Sequence, residues 1–177
     1  MRFPSHTPDT AVGKAADLLR DIVEGRGSAG DMVRTMAGSP SVLTGYLDLS
    51  RAMKRSKLDR QLSERISLAV QDRLGCGLCL QAHTSAARAV GISEDEITRA
   101  RQGGSADARI DTVVDFGLRV YTDPSSVSDD DIAGLRLLGL GDREILDIVG
   151  LVALNVLTGS FNLVAGLRPD LETRQVA

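Results

Sequence analysis

Large rings are scarce in this chain: aromatic residues make up 3% of its 177 positions, and there is no Trp. A core built without them must be filled by Leu, Val, Ile and Ala. That composition favours helices, because Ala and Leu are strong helix formers while strands draw on aromatic and β-branched residues. An excess of positive charge is missing too, with 21 Lys and Arg against 24 Asp and Glu and a formal net charge of −3. Neutralising nucleic-acid phosphates takes clustered basic side chains, so a nucleic-acid partner is not expected. The opening stretch, MRFPSHTPDTAVGK, lacks the apolar segment of a secretory signal, which points to the cytoplasm. Cysteine is reduced to two residues, and in a cytoplasmic chain two thiols speak for catalysis or metal binding rather than a structural staple.

One run, residues 148–167 (IVGLVALNVLTGSFNLVAGL), carries no charge and is long enough to span a membrane. Asn155, Thr158, Ser160 and Asn162 interrupt it, and it reads instead as a helix buried in a core or a subunit interface. The remaining composition, 42% hydrophobic and 25% charged, is that of a globular protein. The length suits one domain, with a core over about residues 8–169 and short loose tails, among them DLETRQVA.

Apolar residues recur at helical spacing almost throughout, which predicts an all-α fold. A first helix is expected over Thr10–Glu24, closed by GRGSAG, then a short helical turn over Asp31–Met36. Ser39 and Pro40 introduce a helix ending near Met53, and another runs from about Leu58 to Gly75 with Leu62, Ile66, Ala69, Val70 and Leu74 facing inward. A helix over Cys76–Val90 stops at Gly91; SEDE at Ser93 starts the next, with Glu96 placed for a capping box. Asp107–Tyr121, Ser128–Leu138 and a long helix from Asp142 to just before Pro169 complete the chain.

The chemistry is concentrated in SERISLAVQDRLGCGLCLQAHTSAARAVG, residues 63–91. Offsets of three and four residues put Cys76, Cys79 and His83 on one helical face, a spacing at which two thiols can close into a disulfide. A helix start, a neighbouring thiol and an imidazole each lower a cysteine pKa, the first favouring Cys76 and the last Cys79. Glu64, on the preceding helix, is the carboxylate available to orient His83. Glu64, His83, Cys79 and Cys76 thus form a candidate proton relay ending in a dithiol. Each residue taken singly has a plainer reading: half of a zinc site, two cysteines packed as small hydrophobes, a core histidine, a solvated glutamate. The zinc reading lacks a second cysteine pair: only His83 and the distant His6 remain as nitrogen ligands, so a closed site would need a carboxylate or a second subunit.

Glu64, eleven intervening residues, Cys76, two residues, Cys79, three residues and His83 resemble the signature of the AhpD-like alkylhydroperoxidases, within the carboxymuconolactone decarboxylase superfamily. GSPSVLTGYLDLSRAM and LVALNVLTGSFNLVAGL resemble that family's upstream and closing helices, so the likeness runs from about Pro8 to Pro169. The resemblance implies an AhpD-like domain of about seven to nine helices, assembled as a trimer or hexamer, with no bound cofactor. It implies a dithiol peroxidase or disulfide reductase in which Cys79 attacks a hydroperoxide and Cys76 resolves the sulfenic acid, with His83 and Glu64 as the relay. The reductant would be a dihydrolipoamide-type dithiol or a thioredoxin-like protein, and a peroxiredoxin is a further partner. Well-known members carry a second histidine just before the second cysteine; Leu78 stands there in this chain, which shortens the relay. Two other functions fit the same residues: a redox-responsive interaction protein, and an enzyme using His83 or Glu64 as general base on a non-peroxide substrate.

Overall fold

The computed structural model describes residues 1–169, and among them every regular element is helical. In chain order these are α1 (Lys14–Arg26), α2 (Asp31–Met36), α3 (Pro40–Met53), α4 (Arg60–Leu74), α5 (Gly77–Ala89), α6 (Glu94–Arg101), α7 (Ala108–Thr122), a 3-10 turn (Pro124–Ser126), α8 (Asp129–Leu137) and α9 (Asp142–Ala165). The expected tail DLETRQVA, residues 170–177, lies outside the described residues.

Helix α4 is the hub. It packs against α5, α6, α7 and α9, so that every residue from Glu64 to Gln71 is buried. Its apolar members divide between two clusters: Ile66, Ala69 and Val70 face α7 and α9, while Leu68 packs with Ala87, Ile92, Ile97 and Ala100 of the α5–α6 side. A third cluster, Ala15, Leu19, Met36, Ala37 and Leu43, ties α1–α3 together. A helix enclosed on all sides must place its polar residues against partners. Gln71 Nε2 accordingly donates to the backbone oxygen and Oδ1 of Asn155, and Asn155 Nδ2 donates to Ser67 Oγ and the Leu151 carbonyl. These bonds lock α4 to α9.

Several boundaries move from where periodicity puts them. The first helix starts at Lys14 rather than Thr10, because Gly13 takes a positive φ of 55 and residues 7–11 form a hydrogen-bonded turn. Asp59, not Leu58, opens α4, its side chain accepting from the Leu62 N–H. Ser39 stands at the N-cap of α3 without a side-chain bond. Ser93 caps α6, but the Glu96 carboxylate accepts from Ser105 and Ala106 instead of closing the capping box. Ser128 and Asp131 form a complete box at α8. Helix α9 is long and apolar enough to cross a membrane by length and composition; its buried residues include Ile148, Val152, Asn155, Gly159 and Asn162. Leu146, Val149, Leu163 and Val164 on the same helix are exposed.

Candidate active site

The site forms where α4 turns back into α5. Gly75 adopts φ 79, a left-handed conformation that a side chain would resist, and its N–H closes α4 onto the carbonyls of Gln71 and Asp72. One residue later Cys76 is the N-cap of α5, so it lies just outside the helix in which the sequence places it. Its sulfur accepts from the Cys79 backbone N–H at 3.4 Å. The two sulfurs share a hydrogen bond at 2.6 Å, and both cysteines are free. Cys76 is 2% exposed and Cys79 6%. From α9, Asn162 Nδ2 donates to Cys79 Sγ at 3.2 Å.

This arrangement separates the two thiols in acidity. The hydrogen bond with the Cys79 thiol is the main influence pulling the Cys76 thiol down from 9.0 to about 6; the Cys79 N–H and the Asn162 amide add to it, against burial. Cys79 is pushed up, first by its hydrogen bond with Cys76, then by burial and by the negative charge on its neighbour. The hydrogen bond between the two sulfurs thus sets the order: Cys76 takes the charge and Cys79 keeps the proton.

Glu64 is buried at 3% exposure, one turn into α4. Its Oε2 lies 2.7 Å from His83 Nδ1, and its Oε1 is 2.7 Å from Arg60 Nη2, whose side chain is mostly in solvent. A carboxylate accepting from Nδ1–H leaves Nε2 as the basic ring nitrogen. Among the described residues no hydrogen bond joins His83 to either cysteine. The four expected residues therefore form two bonded pairs, Glu64 with His83 and Cys79 with Cys76, and the relay has a gap between them.

A single cavity of about 1150 Å³ bridges that gap: Cys79, His83 and Asn162 line it, together with Leu78, Leu151 and Leu154. Cys76 is not part of its lining, so the two sulfurs differ in access as well as in charge. Leu78 supplies apolar wall. Among the described residues, no three His, Cys, Asp or Glu side chains converge to hold a metal ion. Asn162 and Arg60 are contacts that the CxxC spacing does not announce. The signal for Asn162 was an amide in an otherwise apolar helix, seven residues and hence one helical face from Asn155.

Fold and site together define an all-helical dithiol protein with the AhpD-like fold. Residues 40–118, which hold Glu64, both cysteines and His83, match the model of the carboxymuconolactone decarboxylase family. Among solved structures, an alkylhydroperoxidase AhpD core, a peroxidase-related protein of Ralstonia eutropha JMP134, superposes with TM-score 0.81 at 20% identity, covering 97% of this chain and 93% of its own. A peroxidase-related protein of Silicibacter sp. TM1040 gives 0.74 at 20% identity, over 88% and 84%. The debrominase Bmp8 gives 0.71 at 14% identity, over 91% and 88%. No curated protein matches the chain.

Proposed function

We propose that this protein is a thiol-dependent peroxidase and disulfide reductase that cycles Cys76 and Cys79 between dithiol and disulfide. The observation that carries this reading is the pair of free thiols 2.6 Å apart, one of them on the wall of a cavity that also presents a carboxylate-braced imidazole. Cys79 is the sulfur a cavity-bound hydroperoxide meets. As it attacks the terminal oxygen, an S–O bond forms and the O–O bond breaks; the Cys79 proton passes to His83 Nε2 and on to the departing alkoxide. Sulfur is oxidised by two electrons and the hydroperoxide leaves as alcohol. Cys76, already ionised, then attacks the Cys79 sulfenic acid, the S–S bond forms, and hydroxide departs as water once protonated. A resolving thiolate held near pKa 6 needs no base of its own, which offsets the loss of a relay histidine at Leu78.

Reduction of the disulfide falls to an external dithiol, dihydrolipoamide or a thioredoxin-like protein, without a resident cofactor. A peroxiredoxin as downstream partner, a cytoplasmic location and a homo-oligomer joined through the exposed apolar residues of α9 belong to the same reading. The test is steady-state reduction of cumene hydroperoxide with dihydrolipoamide as donor. Turnover in the wild type, abolished in Cys79→Ser, supports the assignment; a Cys79→Ser protein as active as wild type sinks it.

A second reading has one observation in its favour: the cavity is far larger than a small peroxide needs, and Bmp8, also solved with 2,3,4-tribromopyrrole in a cysteine-to-alanine variant, shares the fold. The same dithiol could reduce a halogenated ring, the ring carbon taking a proton in place of bromine while bromide leaves and the disulfide forms. Bromide release from a brominated pyrrole, in the absence of any peroxide consumption, would move the assignment there.

A further inference from the structure

Two asparagines face α4 and α5 from the same side of α9, and they are treated differently. Asn155 is fully used: its Oδ1 accepts from Gln71, and its Nδ2 donates to Ser67 and Leu151. Asn162, 3% exposed, has one side-chain bond, from Nδ2 to Cys79 Sγ, and its buried Oδ1 has no partner. A buried amide left half unpaired weakens the fold, and an apolar residue of similar volume at this position would remove that burden. The position is nevertheless built with care. Gly159, one turn earlier, lets α9 approach so closely that a Cβ there would sit 2.6 Å from Gln71 Oε1 and also collide with Leu74. That approach delivers Asn162 to the sulfur.

We propose that Asn162 is a working member of the thiol site: its side-chain amide holds the Cys79 sulfur and favours its ionised form when the proton leaves. The amide donates to the sulfur whichever way the proton then travels, and donation to a sulfur anion is stronger than to a neutral thiol. It therefore does most at the moment of attack. The contribution of the amide to lowering both thiols is in keeping with this. The residue lies outside the segment 40–118 that carries the family match, so the dithiol helix receives this contact from a separate, closing helix.

The assignment deepens the dithiol reading above and rests on it, but its test needs no hydroperoxide. In a Cys76→Ser background only Cys79 remains to be alkylated, and its rate with iodoacetamide is followed against pH. With Asn162→Leu added, the rate at pH 7 is expected to fall about tenfold, one pKa unit's worth, and to rejoin the parent rate at high pH, where the thiol is ionised in both. Asn162→Ala gives the same shift and decides the matter if the Leu variant fails to fold. Coincident profiles overturn the assignment, and so does a deficit that persists at high pH, because that reports altered access rather than a lost donor. A wild-type protein inert to hydroperoxides would overturn the peroxidase function while leaving this profile to be read on its own.

Discussion

Glu64→Gln is the most informative single change, because it keeps the side chain's shape and alters only what the carboxylate does for His83. In the wild type, Oε2 accepts from Nδ1 at 2.7 Å, which places the lone pair on Nε2 of a residue that lines the cavity. A glutamine can turn its amide N–H toward Nδ1, and the ring then carries its proton on Nε2, where it cannot take one from Cys79. It also withdraws the negative charge that stabilises the imidazolium. General-base catalysis contributes typically ~10²–10⁴ in rate, so the oxidation of reduced protein by an organic hydroperoxide should slow at least ~100-fold, about 2.7 kcal/mol of barrier. The fold should lose much less. Arg60, the other partner of Glu64, is 64% exposed; it stays hydrated in the variant, and the glutamine carbonyl oxygen can still accept from it. Stopped-flow oxidation kinetics beside urea denaturation separate the two effects. A Gln variant that oxidises within twofold of wild type would refute the reasoning, and so would one that slows only because it is largely unfolded.

Other consequences are equally open to measurement. Cys76→Ser should still consume one hydroperoxide but stop at the Cys79 sulfenic acid, which a dimedone adduct detected by mass spectrometry would report; no adduct would contradict Cys79 as the attacking sulfur. The first thiolate, read from its ultraviolet absorbance in reduced protein, should appear as pH rises through about 6 and be protonated below it, since the Cys76 thiol is depressed in the folded chain; a titration beginning only near 8.5, the ordinary range for cysteine, would contradict the capped thiolate. Gly159→Ala should cost ~1–3 kcal/mol through overpacking against Gln71 and Leu74, partly offset by up to ~1 kcal/mol of helix propensity. Its denaturation midpoint should fall, and an unchanged or higher midpoint would show that α9 has more room than the close approach implies.

The helices were legible because each carries a local signal: an apolar stripe, a Ser or Asp cap, or a glycine stop at Gly27, Gly75 or Gly91. The start of α1 was misplaced because Gly13 breaks the periodicity that Thr10 and Ala11 continue. Glu64, Cys76, Cys79 and His83 were legible as a set through their spacing, and the fold does bring each pair within it together. What spacing could not supply was anything owed to α9. Asn162 reaches Cys79 across 83 positions of sequence, and Gln71 is buried against Asn155 of α9 across 84. The burial of Glu64 had the same origin, since α4 is covered on all sides only once α5, α6, α7 and α9 are in place. The gap between His83 and Cys79 could not be read from offsets of four residues either. Those fix the face that two side chains share, while the rotamer decides whether they touch.

The central claim is that Cys76 and Cys79 act as one redox unit on a hydroperoxide. Fully reduced protein, mixed anaerobically with a small excess of tert-butyl hydroperoxide and quenched with an alkylating reagent over seconds to minutes, tests it directly. The account predicts loss of both thiols together, a mass two hydrogens lighter for an intramolecular disulfide, and recovery of both on adding dihydrolipoamide. Two thiols that survive the hydroperoxide unchanged would contradict it.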